Sequence, residues 1–172
     1  MRTGGEALVQ TLLAHGITQG FGVPGESYLA VLEGLRRERA RFRLVVTRHE
    51  SGATFAAEAY GKLARRPAAA FVTRGPGATN AAIGIHTAMQ DSTPVLLFVG
   101  HVPTRAKGRE AFQEIDYHRM YAPVAKAVLE PETAADIVWL TPGRPRPDPC
   151  RGQTLTSGHS AADGANCPEV KV

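Results

Sequence analysis

In "VVTRHESGATFAAEAYGKLA", residues 45–64, a β-branched run passes into an alanine-rich one, and the carboxylate of Glu50 stands almost at the joint. An acidic side chain at a helix start is favoured by the helix dipole, so a solvated surface glutamate is the plain explanation. The small neighbours Ser51, Gly52 and Ala53 also leave room for a ligand beside it. A carboxyl group withdrawn from water holds its proton more tightly, which is the property proton-transfer chemistry uses. A second candidate is "GPGATN", residues 75–80, whose small residues ahead of a helix leave backbone N–H groups open to an anion. The competing explanation is a tight strand-to-helix turn, with Asn80 capping or bracing it.

Several familiar chemistries are excluded by spacing. "GPGATN" is not followed by Gly-Lys-Ser/Thr, so it is no nucleotide P-loop, and Asn80 stands where a GxGxxG fingerprint needs its last glycine. A dinucleotide-binding domain is disfavoured for the same reason, no GxGxxG following the first strand. "HESGA" fails the HExxH zinc-protease pattern because position 53 is Ala. The two cysteines, Cys150 and Cys167, have no partner at metal-ligand spacing.

The elements that must position Glu50 and the glycine loop follow from hydrophobic period. Leu8, Leu12 and Leu13 make a helical stripe over about residues 4–15, ended by Gly16, and "GFGV" is a short strand. "PGESYLAVLEGLRRE" is a second helix with Leu29, Leu32 and Leu35 on one face. "FRLVVT" and "AAAFVT" are strands flanking the helix "ESGATFAAEAYGKLA"; "AAIGIHTAMQ" is a helix and "TPVLLFVG" a fourth apolar strand. The order αβαβαβαβ, with apolar strands throughout, predicts an α/β fold: a doubly wound, mainly parallel sheet covered by helices on both faces. Ligands in such sheets bind beyond the carboxyl ends of the strands, which puts "GVPGE", "TRHES" and "TRGPGATN" along one edge.

Bulk properties narrow the class. At 172 residues the chain suits one domain; 43% of its residues are apolar and only 6% aromatic, so close packing of small residues is expected. The net charge of +4 comes largely from "LRRERARFR", residues 35–43, which lacks interleaved aromatics and reads as a solvated helix end instead of a nucleic-acid surface. No stretch is long and apolar enough for a membrane helix, and Glu6 and Gln10 interrupt any secretory signal, so a cytoplasmic location is expected. Residues 1–140 are expected to form the domain; 141–172, rich in Pro and Gly, are expected to be an irregular tail.

Four loops in order, "FGVPGE", "RHESGATFAAEAYGK", "TRGPGATNAAIGIHTAMQDSTPVLLFVG" and "VPTRAKGREAFQE", resemble the N-terminal pyrimidine-binding domain of thiamine diphosphate-dependent enzymes. Within them the acetolactate synthase group is most similar, and the likeness runs from about residue 6 to 137. It implies a flavodoxin-like thiamine diphosphate-binding fold, with Glu50 as the acid that hydrogen-bonds N1′ of the cofactor's aminopyrimidine. A carboxyl sharing a proton with that nitrogen favours the ring's imino form, which can take a proton from the thiazolium. By the same resemblance Pro24 and Gly25 pack near the pyrimidine, and Gly75, Gly77 and Asn80 line the same cleft without touching the diphosphate. Phe112 and Gln113 face the substrate side, ordinary packing being their alternative.

The resemblance also implies parts not found in this sequence. Such enzymes hold the diphosphate through a magnesium ion on a Gly-Asp-Gly motif with a downstream Asn; "ADGAN" at 162–166 does not match it. The expectation is a partial chain needing a separate diphosphate-binding domain, acting on a 2-ketoacid as a homodimer, a tetramer or with a second chain. FAD, where relatives use it, would sit elsewhere. The alternative is a non-catalytic module that keeps only the fold. An uncovered apolar helix face is expected at 81–89, because Ile83, Ile85 and Met89 cannot all face the sheet.

Overall fold

A computed structural model describes residues 3–131 and 155–156. Helices α1 (Gly4–Ala14), α2 (Leu29–Arg37), α3 (Glu50–Ala64) and α4 (Pro76–Gln90) alternate with strands β1 (Gln19–Gly22), β2 (Arg43–Val46), β3 (Ala68–Val72) and β4 (Val95–Val99). A short helix α5 (Tyr117–Tyr121), β5 (Ala127–Val128) and β6 (Leu155–Thr156) follow. The sheet is parallel in every pairing, in the order β2-β1-β3-β4-β6-β5. The doubly wound α/β architecture and the eightfold alternation are as the hydrophobic period predicts. The expected domain boundary near 140 lies outside the described residues, as does all of the tail except β6.

Two details differ from expectation. Residues Glu26–Tyr28 form a 3-10 turn, so α2 starts at Leu29, later than "PGESY" suggested. Strand β2 is not apolar throughout: it opens on Arg43 and lies at the sheet edge, where Val46 is 61% exposed. An edge strand has only one hydrogen-bonded neighbour and little to cover it, so charge there is tolerated and guards against stray pairing.

Side chains of β3 and β4 alternate between two cores. Ala69, Phe71, Leu96 and Phe98 face α1 and α2 with Leu8, Leu12, Leu35 and Phe42. Ala68, Ala70, Val72, Val95, Leu97 and Val99 face the other side with Ala57, Ala78, Ala81 and Ile85 of α3 and α4. On that second side α3 and α4 come very close. A Cβ added at Gly84 would stand 2.2 Å from Thr54 Oγ1, and the Thr54 hydroxyl donates to the Ala81 carbonyl at 3.1 Å. This approach brings the first turns of α3 and α4 side by side.

Candidate cofactor site

Glu50 opens α3 directly after the loop leaving β2, capped by His49, whose Nδ1 accepts from the Ser51 N–H at 3.3 Å. Its carboxylate is half-buried. Asn80, on the second turn of α4, donates from Nδ2 to Glu50 Oε2 at 3.0 Å. Glu50 Oε1 has no hydrogen-bond partner among the described residues. A Cβ at Gly77 would stand 3.5 Å from that oxygen and 2.9 Å from Thr73 Cγ2, so glycine keeps the space beside the acid clear. The negative charge of Glu50 also reaches Tyr28, whose hydroxyl is held well above its usual pKa, first by burial and then by that charge.

The loop after β1 closes on the same place. Ser27 Oγ and Thr73 Oγ1 are 2.8 Å apart, and a Cβ at Gly25 would stand 2.6 Å from Thr73 Cβ. Pro24 is exposed beside it. Pro24, Gly25, Glu50, Gly75, Gly77 and Asn80 are thus gathered at the carboxyl ends of β1, β2 and β3, by loops up to 56 residues apart in sequence.

Gly75 does not present an open anion cradle. Its φ of 55° and ψ of −107° suit glycine, and Pro76 follows at the first helical position. Its N–H donates to the buried Tyr117 hydroxyl at 3.0 Å, and the Gly77 N–H turns back to the Arg74 carbonyl at 3.4 Å. A Cβ at Gly75 would stand 2.7 Å from the Gln113 Cβ and carbonyl oxygen. "GPGATN" is a tight turn braced from outside, the plainer of its two explanations.

Gln113 is half-buried at a positive φ of 62°, while Phe112 is 74% exposed. Arg74 holds this loop: its Nε donates to the Phe112 carbonyl at 3.0 Å, its guanidinium lies 5.8 Å from the Phe112 ring centroid, and it pairs with Glu26. Sequence reasoning missed Arg74, Ser27, Thr73 and the α5 tyrosines. Tyr117 and Tyr121 stand four apart in "YHRMY", and Tyr121 donates to the Ala78 carbonyl, so α5 clamps the start of α4. That i,i+4 spacing was the available signal.

Among the described residues no group of three His, Cys, Asp or Glu could hold a metal ion. No helix there is long and apolar enough to cross a membrane.

The model of the thiamine pyrophosphate enzymes' N-terminal TPP binding domain matches residues 2–120. The chain belongs to this family. It is 39% identical over 141 residues to the acetolactate synthase of Arthrospira platensis, covering 79% of this chain and 24% of that protein. It is 41% identical over 115 residues to the mitochondrial acetolactate synthase of Schizosaccharomyces pombe, covering 67% and 17%. With the acetolactate synthase large subunit of Lactococcus lactis it shares 38% over 135 residues, covering 78% and 23%. This TPP-binding domain therefore spans about a quarter or less of the length of these relatives.

The residues present fit one half of the family's cofactor. The free Oε1 of Glu50, with Gly77 and Gly25 opening space at the same edge, offers an acceptor to a flat polar ring. In the glycine turn the N–H groups of Gly75 and Gly77 are engaged internally and are not offered to a diphosphate.

Proposed function

We propose that this domain supplies the pyrimidine-binding half of an acetolactate synthase-like active site that decarboxylates a 2-ketoacid and joins the fragment to a second one. The observation that carries this reading is the half-buried Glu50 carboxylate, oriented by Asn80 through one oxygen and open at the other. When bound, thiamine diphosphate supplies an electron sink for breaking and forming bonds beside a carbonyl carbon. Glu50 holds or releases a proton at Oε1 toward the pyrimidine nitrogen, and the amide of Asn80 fixes the direction in which that oxygen points. Gly25 and Gly77 keep side chains out of the ring's approach, and Pro24 stiffens the turn that carries Gly25. Phe112 and Gln113, held by Arg74 and Gly75, stand at the outer side, where the substrate enters.

Magnesium and the diphosphate belong on a separate domain or chain, and FAD, if used, outside this domain. Ile83 (57% exposed) and Phe55 (39%) on the outer faces of α4 and α3 support an assembly in which this side is covered by another subunit. Of the expected stripe, Ile85 is buried and Met89 half-buried, leaving Ile83 to the outside. A cytoplasmic site of action goes with this reading.

The test is reconstitution with the separately produced remainder of the Arthrospira platensis acetolactate synthase. Addition of this chain, thiamine diphosphate and magnesium should restore pyruvate consumption, and Glu50→Gln should abolish it. Restoration unaffected by Glu50→Gln would remove the assigned role of the acid.

A further inference from the structure

The basic run "LRRERARFR" divides into two groups in the structure. Arg36 and Arg37, in the last turn of α2, are paired with Glu33 at 2.7 and 2.8 Å, and Arg37 also with Glu6. Cations at a helix carboxyl end are favoured by the dipole, so these two need no further explanation. The others turn elsewhere. Arg39, Arg41 and Arg43 line one cleft with Arg66, Tyr60, Gln19 and Thr18, at the amino ends of β1 and β2, the opposite edge of the sheet from Glu50. The cleft is open to solvent and has a volume of about 280 Å³.

Charge around this cleft is poorly balanced. Arg41 pairs with Glu38 at 3.3 Å, whereas Arg39 and Arg43 have no carboxylate partner among the described residues. Arg66 donates from Nε to the Tyr60 hydroxyl at 3.0 Å and lies 5.8 Å from that ring's centroid. Guarding the edge strand accounts for Arg43 alone, not for four guanidinium groups from the α2 end, β2 and the α3 end around one concavity.

We propose that this cleft binds a small oligophosphate, a diphosphate or triphosphate group. Guanidinium presents a planar set of donors matched to phosphate oxygens, and several of them around one anion supply both charge and geometry. The open cleft admits a compact anion from solvent. Nucleic acid is disfavoured because single strands need free aromatic faces for stacking: Tyr60 is half-buried and tied to Arg66 through its hydroxyl, and Phe42 is buried in the core. The site is independent of the Glu50 chemistry.

The experiment is calorimetry of the full chain with inorganic pyrophosphate, without divalent metal and at moderate salt. One saturable site is expected, weakened as salt rises. Arg43→Ala and Arg66→Ala should each weaken it by about tenfold or more, the loss of one charge-assisted contact, and Arg43→Lys should fall between. These side chains are exposed, so melting temperatures should stay unchanged. In wild type, pyrophosphate should shift the arginine Nε resonances of residues 39, 41, 43 and 66, which tests the site without a variant. Absence of a saturable heat, wild-type affinity in both alanine variants, or shifts located elsewhere would overturn the proposal. So would a single-stranded or duplex oligonucleotide displacing pyrophosphate at lower concentration, which would mark a nucleic-acid surface instead.

Discussion

The two faces of the sheet are built from different stock. Under α1 and α2 lie aromatic rings, Phe71 against Phe98 at 5.0 Å between centroids, with Phe42 and Tyr28 at 6.2 and 6.5 Å from Phe71. Under α3 and α4 the buried residues are mostly alanine and valine. Large rings give much buried area for each residue and need no particular helix spacing at the edge. Small residues bury less but let two helices sit close to the sheet and to each other, and on that side the amide of Asn80 reaches the carboxylate of Glu50. The residues so joined are Glu50 at the head of α3 and Asn80 on the second turn of α4. One face carries stability; the other carries the geometry of the acid.

Phe71→Ala should show the largest loss of stability, about 3–5 kcal/mol in chemical denaturation, because the ring is fully buried among three others. The protein that remains folded should still bind an aminopyrimidine. A cost below about 1 kcal/mol would mean that the aromatic face is not the main store of stability.

Gly84→Ala should cost less, about 1–3 kcal/mol by overpacking against Thr54, yet should abolish pyrimidine binding by pushing α3 from α4. Binding that survives this change would break the contrast between the faces. Asn80→Ala should cost about 1 kcal/mol or less, since the amide is only half-buried, and should weaken pyrimidine binding by leaving the Glu50 carboxylate unoriented.

The smallest effect is one of pH. His101, just past β4, accepts the Val102 N–H on Nδ1 at 2.7 Å and faces Glu130 with Nε2 at 2.8 Å, which places its proton on Nε2. Burial lowers its pKa from the ordinary 6.5, outweighing the opposite pull of Glu130. The unfolded chain therefore takes up a proton first as pH falls below about 6.5, and stability declines from there toward the folded pKa. Above that range this group contributes no slope. Melting curves between pH 7.5 and 5.5 should show a shallower decline in His101→Gln than in wild type.

The alternation of helices and strands was legible because each element carries its own period, from Leu8, Leu12 and Leu35 on helices to the uninterrupted apolar run of β4. Glu50 at the head of α3 was legible for a similar reason, a strand-to-helix joint being local. What was not legible depends on distant partners. The anion-cradle reading of "GPGATN" fails through Tyr117, 42 residues further on, whose hydroxyl takes the Gly75 N–H. The Ser27–Thr73 contact and the Arg74 clamp on the Phe112 loop likewise join segments that no local pattern relates. The division of the basic run needed the position of Arg66 at the far end of α3.

The most direct measurement is titration of the full chain with 4-amino-5-hydroxymethyl-2-methylpyrimidine, the ring half of thiamine, followed by amide shifts in nuclear magnetic resonance. Saturable shifts confined to residues around 24–27, 50–54 and 73–80, with affinity at least about tenfold lower in Glu50→Ala, are the expected result. Equal affinity in wild type and Glu50→Ala, or shifts centred away from the carboxyl edge of the sheet, would contradict the role assigned to Glu50.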